Sequence, residues 1–325
     1  MNAFQLCSTY EGAAKAAGEL SSSSTLILDC EGRDIGMPGG ALGLLALGNE
    51  DASLIYLFDV VALSDPKHPL LAPLLQLLQR EDIVKVVWDG RNDILEIFET
   101  YNVVVRGVLD LQVAEVVHRQ NIPKTHTKSI RVQHTPDYFK KLKSEIEEDP
   151  AMLEGIYRLL GLDRCAKLFH AIDGKAGKDP VVTKMHEEQE SEMWMTRPLP
   201  AHLLKYSARD IELLALMHRR FRSNGYLRDI ELLKQTSRRY LDVYPTRELR
   251  ALHSPLHLTK FMPLDVLRAP SPGLRIVCVR CTRGLSPDCF STRVEGKQKQ
   301  RAACCRLCAL LVRKEGEQVE WVGEP

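Results

Sequence analysis

The chain has 325 residues, of which 44% are hydrophobic and 27% charged, a balance that excludes fibrous, low-complexity or disordered classes and, at about 150 residues per domain, suggests two domains. The net charge of +1 excludes a global field steering the protein to nucleic acid or membrane, and no stretch approaches the ~20 apolar residues of a membrane span. The average hides an asymmetry: residues 275–314 hold ten Lys/Arg against two Asp/Glu, so a compact basic tail follows an acidic body. The first 25 residues lack the basic and apolar regions of a secretory signal, so the expected setting is intracellular, nucleus or cytoplasm, where thiols stay reduced.

In chain order, residues 8–20 read as a helix with Ser8 or Thr9 as N-cap and alanines behind. Strand-like apolar runs follow at 25–28, 41–47 and 54–60, the last two at hairpin-like spacing. Residues 70–78 read as helix, and the β-branched run at 83–88 as strand. Helix is expected at 93–101, a short strand at 103–105 and helix again at 109–119. This order describes a mixed α/β sheet flanked by helices. Residues 121–195 are polar and helical by composition, with little periodicity over 132–151. The helix 203–221 has the clearest apolar stripe: Leu203, Leu204, Ile211, Leu214, Met217 and Phe221. Five prolines between Pro245 and Pro272 mark 241–274 as a linker, or as a segment laid over the first domain. The expected organisation is therefore a domain at 8–240, the linker, and a Cys-rich module at 275–314.

Three places along the first domain gather carboxylates. Asp29 and Glu31 end a strand two residues apart, so they share a face at the sheet edge where α/β sites lie. Asp93 follows the next strand, with Asp89 nearby as a turn residue; alone, Asp93 reads as readily as a helix N-cap. Tyr206 and Asp210, at i and i+4, share a face of the long helix. An Asp beside a buried stripe needs a partner, and pairing with Arg209 or Arg219 on a solvated face is the open alternative.

Acid pair, single acid, then Tyr-x-x-x-Asp, in this order and these contexts, resembles the DEDD 3′–5′ exonucleases of the tyrosine branch, the ribonuclease D-like group. Trp194-Met-Thr-Arg197-Pro198-Leu199, nine residues ahead of Tyr206 when counted from Arg197, is similar to that group's lead-in to its last motif. The segments Leu109-Asp110-Leu111-Gln112 and Leu159-Leu160-Gly161-Leu162 sit where the group has comparable ones. Asp29-Cys30-Glu31-Gly32 and Arg91-Asn92-Asp93 look most like the 3′–5′ exonuclease domain-containing proteins. The resemblance covers roughly residues 8–225, and it departs at Trp88-Asp89, where many relatives carry His or Asn, and in the long polar segment 121–195.

The resemblance implies a ribonuclease H-like fold and metal-dependent 3′–5′ hydrolysis of RNA or DNA from a single-stranded 3′ end. Two hard divalent cations, Mg²⁺ or Mn²⁺, suit such chemistry and prefer carboxylate oxygens. By that resemblance Asp29 bridges the two ions, Glu31 and Asp210 complete the site of the nucleophilic water, and Asp93 serves the second ion. Tyr206 positions the water; with an intrinsic pKa of about 10 a phenol is a poor base. The rival reading is a catalytically weak nucleic-acid-binding adaptor on the same fold.

The chain has nine cysteines, and six of them fall within 31 residues. Cys278-x-x-Cys281 and Cys305-x-x-Cys308 make two knuckles with 23 residues between, the ligand set of a structural Zn²⁺. Cys304 or Cys289 can stand in for Cys305 on spacing alone. A zinc ribbon or treble-clef-like module is expected; Cys289-Phe-Ser-Thr resembles zinc-binding tails of the treble-clef kind. The surrounding arginines and lysines suit either solubility or phosphate contact, and protein docking through the module is equally open.

Overall fold

The computed structural model describes residues 3–121, 137–169, 171, 191–269 and 273–323. Much of the polar segment expected at 121–195 lies outside the described residues, as do Pro270 and Pro272. The chain divides into two units, Met1–Glu115 with Leu160–Arg250, and Val116–Leu159 with Ala251–Pro325.

The first unit is built on a six-stranded mixed sheet. Its strands are β1 (Gln5–Cys7), β2 (Thr25–Arg33), β3 (Ala41–Asn49), β4 (Ile55–Asp59), β5 (Val84–Val87) and β6 (Val108–Asp110), in spatial order β1-β4-β3-β2-β5-β6. Strands β2, β3 and β4 form an antiparallel meander, and β5 and β6 extend it in parallel. Without the edge strand β1, this is the order of a ribonuclease H-like sheet. Helices α1 (Tyr10–Leu20), α2 (Ala72–Gln79), α3 (Arg91–Tyr101) and α4 (Leu111–Asn121) punctuate the strands. Thr9 caps α1, its hydroxyl accepting the Gly12 N–H at 3.1 Å. The alanines of α1 (Ala13, Ala16 and Ala17) are small enough to lie flat against the sheet, in one buried cluster with Leu26, Leu28, Leu45 and Phe58.

Two local expectations are corrected. The strand expected at 103–105 forms instead at β6, after the turn at Gly107. Asn102 ends α3 in the left-handed conformation, and an extended stretch must then return the chain to the sheet. Val103 and Val105 are buried within that return without pairing to β5. The helix expected from residue 109 begins at Leu111, because Leu109 and Asp110 pair with Val86 and Val87.

Beyond the described parts of the polar segment, with α5 (Lys143–Glu148) and α6 (Leu162–Leu168), comes the long helix α7 (Ala201–Ser223). It packs on β2, β3, β4 and β5 and buries Leu203, Ile211, Leu214, Met217 and Phe221 as its periodicity requires. Next come α8 (Ile230–Leu241), capped by Asp229 onto the Leu232 N–H at 3.0 Å, and α9 (Arg247–His253). The stretch 241–274, read from sequence as a linker, thus contains α9, and it buries Phe261 and Met262.

In the second unit, β7 (Ile276–Val277) and β8 (Gly284–Leu285) form a hairpin. Strands β9 (Thr292–Glu295) and β10 (Gln298–Ala302) pair antiparallel, α10 (Arg306–Glu315) follows, and β11 (Trp321–Gly323) pairs with β10. The first Cys pair lies in the β7–β8 turn and the second at the start of α10. One buried cluster joins the cysteines to Phe290, Leu307 and Leu311, and also to Phe139, Leu142 and Phe261.

Position 32 tests the sheet. A β-bulge falls between Glu31 and Gly32, and a Cβ on Gly32 would lie 2.2 Å from the Ala41 carbonyl oxygen. Backbone cannot retreat there without parting β2 from β3. Gly32→Ala should therefore lower stability by about 1–3 kcal/mol, read as a reduced midpoint in denaturant melts.

Candidate active site

The meander ends where the carboxylates begin. The β5 partner of β2 runs only through the pair Ile27–Val86, so Asp29 and Glu31 lie past the end of that pairing. On the other side β3 continues alongside, pairing Ala46 with Asp29 and Leu44 with Glu31. Helix α7 crosses this part of the sheet and presents Asp210, 3% exposed. One carboxylate oxygen from each of Asp29, Glu31 and Asp210 lies within 4.8 Å of the others. Glu31 is buried and Asp29 half-buried. Asp210 is buried rather than on a solvated face, and Arg209 bonds Glu212 at 2.8 Å.

Asp93 stands outside that trio, in the first turn of α3, whose N-cap is Gly90; it is therefore not the N-cap. A negative charge there is favoured by the helix dipole. Its charge is felt at Cys30, between Asp29 and Glu31 in sequence. Burial first, then the charges of Asp93, Asp29, Glu31 and Glu96, push the Cys30 thiol well above its usual range. Cys30 itself lies on the other face of β2, in the apolar cluster with Leu26 and Leu28.

Tyr206 is buried one helical turn before Asp210, its ring tilted against Trp194 with centroids 6.2 Å apart. The Trp-x-x-Arg-Pro lead-in now has a physical reason. Arg197 Nε donates to both Asp59 oxygens at 2.8 Å, and its two Nη groups donate to the Trp194 and Gly43 carbonyls, each at 2.8 Å. One guanidinium ties the end of β4, β3 and the 3₁₀ turn Ser191–Met195 together, and so seats Trp194 beneath Tyr206. Gly43 admits this approach, because a Cβ there would meet the Trp194 carbonyl oxygen at 2.6 Å.

A second network shapes the corner that delivers Asp93, and the sequence reading assigned it no role. Asp110, fully buried, accepts the backbone N–H groups of Asp89, Gly90 and Gln112 at 3.2, 3.0 and 2.8 Å. Burial, reinforced by Asp89, raises its carboxyl to about 7. Arg91 bonds Asp89 at 2.6 Å and lies over the Tyr240 ring, 4.5 Å from its centroid. The Tyr240 hydroxyl reaches Asp89 at 3.0 Å and Gln112 at 2.6 Å. The signal was the Leu-Asp-Leu-Gln segment, whose acid is buried between apolar neighbours; Tyr240, 151 residues from Asp89, leaves no local trace.

In the second unit, one sulfur from each of Cys278, Cys281, Cys305 and Cys308 lies within 4.8 Å of the others, all four residues being buried. The thiols of Cys281, Cys305 and Cys308 turned toward Cys278 pull it toward thiolate, and its sulfur accepts the Cys305 N–H at 3.2 Å. The two alternatives are placed elsewhere. Cys289 donates its thiol to Asp265 at 2.9 Å and is pushed up to about 12, chiefly by burial; Cys304, outside the group, is pushed up to about 11. Four converging sulfurs fit a tetrahedral Zn²⁺. His253 reaches the Cys281 carbonyl at 2.8 Å, a contact that orients the knuckle.

No family model matches the chain, nor does any curated protein. Solved structures do. The RNase D of Trypanosoma brucei is 20% identical with a TM-score of 0.57, the match covering 75% of this chain and 73% of that one. The same protein in complex with RNA U12 matches at 20% identity and a TM-score of 0.56, over 75% and 71% of the two chains. The catalytic core of RRP6 from Trypanosoma brucei is 14% identical with a TM-score of 0.50, over 84% of this chain and 60% of that one. Among the described residues, no helix is long and apolar enough to cross a membrane. A mixed six-stranded sheet, crossed by a long helix that brings a carboxylate to the end of β2, is the fold of ribonuclease D.

Proposed function

We propose that the protein is a divalent-metal-dependent 3′–5′ exonuclease acting on single-stranded RNA or DNA. The observation that carries this reading is the convergence of Asp29, Glu31 and Asp210 within 4.8 Å, from a strand and from a helix far along the chain. Clustered carboxylates repel one another and remain charged together most readily around cations. Their hard oxygens suit Mg²⁺ or Mn²⁺. Asp29, Glu31, Asp210 and Asp93 would hold two such ions, which when bound supply water activation and charge neutralisation for phosphodiester hydrolysis.

The remaining work falls to the chain. Tyr206, one turn from Asp210, would hold the attacking water in line through its hydroxyl, as Trp194 and Arg197 fix its ring. Asp110 holds the β5–α3 corner that carries Asp93. The RNA complex of the neighbouring RNase D supports nucleic acid as the ligand class. The Cys278, Cys281, Cys305 and Cys308 group is proposed as a structural zinc site, and a reducing compartment, nucleus or cytoplasm, as its setting.

The test compares a labelled linear single strand with its circular form in Mg²⁺ or Mn²⁺. Stepwise release of mononucleotides from the 3′ end of the linear strand is expected. Equal degradation of the circle would show an endonuclease instead. Tyr206→Phe removes one hydroxyl and keeps the ring, so the rate should fall by about 10–100-fold. Strand affinity in the same assay buffer should stay unchanged.

A further inference from the structure

The loop that follows the Asp29–Glu31 pair is held against the helix that carries Asp93. Residues 34–40 fold into two successive turns, Met37 N donating to the Asp34 carbonyl at 2.9 Å and Gly40 N to the Met37 carbonyl at 2.8 Å. At their centre is Gly36, buried and at a φ of +76°. That conformation favours glycine. So does the space, since a Cβ on Gly36 would lie 2.8 Å from Asn92 Oδ1 and 3.0 Å from Asn92 Cβ. The loop backbone therefore rests directly on the first turn of α3, at the residue before Asp93.

Glu96 fixes that approach. It follows Asp93 by three residues on α3, so the two are neighbours on the helix surface. It is fully buried, at 0% exposure. One carboxylate oxygen accepts the Gly36 N–H at 3.0 Å, and the other accepts Arg247 Nη2 at 2.5 Å. Both oxygens are engaged by the protein, which marks Glu96 as a support rather than a metal ligand. The Arg247 guanidinium compensates the charge that burial penalises. Arg250, one turn further along α9, donates from Nε to Asn92 Oδ1 at 2.9 Å and lies over the Tyr244 ring at 5.5 Å. Two arginines of α9 thus hold the two α3 side chains that receive the loop. The loop is pinned elsewhere too: Ser191 donates to Asp34 at 2.8 Å, and Arg33 pairs with Glu192 at 3.2 Å.

We infer that Glu96 is a positioning residue of the carboxylate site, which through Gly36 holds Asp93 of α3 in place relative to Asp29 and Glu31 of β2. The inference rests on the proposed function and deepens it. Sheet pairing between β2 and β5 ends at Ile27–Val86, short of both ligand-bearing ends. The chain then leaves β5 at Val87 and turns before α3 starts at Arg91. Asp110 ties that corner to β6, and Glu96 ties α3 to the loop at the end of β2. Supports of this kind, one step removed from the metal, are worth about 10–100-fold in metal affinity.

The experiment measures Mn²⁺ binding to the full chain from the paramagnetic resonance signal of the free ion, so it does not depend on turnover. Glu96→Gln keeps the size but leaves one acceptor oxygen where two are used, and affinity should fall by about tenfold. Gly36→Ala acts on the loop's end of the same bond and leaves the Glu96–Arg247 pair in place. It should cause a similar fall, and it carries the test by itself if Glu96→Gln does not fold. Asp93→Asn is the reference. In the Asp93→Asn background, Glu96→Gln and Gly36→Ala should each add less than about twofold, because a support acts only through what it supports. Wild-type Mn²⁺ affinity in both single variants would overturn the inference. So would an undiminished further loss in the Asp93→Asn background, which is what a general loosening of the fold would give. Failure of the underlying reading looks different: Asp93→Asn itself would then bind Mn²⁺ as wild type does, which would remove Asp93 from the site and the inference with it.

Discussion

Asp29→Asn should abolish most nuclease activity while leaving the fold in place. The amide is nearly isosteric with the carboxylate, but it cannot supply the negative charge that holds two cations in one site. A loss of at least about 10³ in rate is expected, about 4 kcal/mol of transition-state stabilisation. Measured without metal, thermal stability should stay level or rise. Asp29 shares its site with Glu31 and Asp210, and removing one of three close charges relieves repulsion. The opposite signs of the two readouts make the test. A variant that is dead because it is unfolded would show Asp29 to be a structural residue of β2. A variant with wild-type activity would place hydrolysis elsewhere and favour the adaptor reading. Binding of Mn²⁺ alone, followed by titration calorimetry, should weaken in parallel with the rate.

The parts of this site that sequence makes legible are those with local periodicity. Asp29 and Glu31 share a face because strands alternate, and Tyr206 and Asp210 because helices return after four residues; both signals survive in the linear order. The burial of α7's stripe, the Thr9 cap and the hairpin of β3 and β4 were visible for the same reason. What escaped depends on distant partners. Strand β1 has three residues, and its sheet partner among the described residues is β4, half a hundred residues on, so neither length nor alternation marks it. The strand expected at 103–105 has the right residue types, but backbone pairing is decided by where the Gly107 turn lets the chain meet β5. Arg197 illustrates the difference: its motif was readable, while the reason for it, a clamp on Asp59, Gly43 and Trp194, is a property of three-dimensional proximity. The choice of Cys305 over Cys289 follows likewise, because Asp265 claims the Cys289 thiol from 24 residues away.

Replacing Cys278 and Cys281 together by serine should cost the protein one zinc and unfold far more than the cysteine tail. Apparent zinc affinities of such sites amount to about 10–16 kcal/mol of folding free energy, against a margin of about 5–15 kcal/mol for a whole domain. The four sulfurs are also the centre of the second unit's core, where they share a buried cluster with Phe290, Leu307 and Leu311. That cluster reaches beyond the 275–314 module to Phe139, Leu142, Ile156, Leu258 and Phe261. Backbone bonds follow the same path, from Leu159 N to the Lys260 carbonyl at 2.9 Å and from Met262 N to the Tyr157 carbonyl at 2.8 Å. Hydrogen exchange should therefore accelerate in 137–156 and 258–266 as well as in 276–315, although the first of these lies more than a hundred residues ahead of the cysteines. The first unit has its own core around Leu26, Leu45 and Phe58, so Mn²⁺-dependent hydrolysis of a dinucleotide should persist. Elemental analysis supplies the decisive control. If the intact protein carries no zinc, or if protection at 137–156 survives the double substitution, the sulfurs do not hold this core together through a metal.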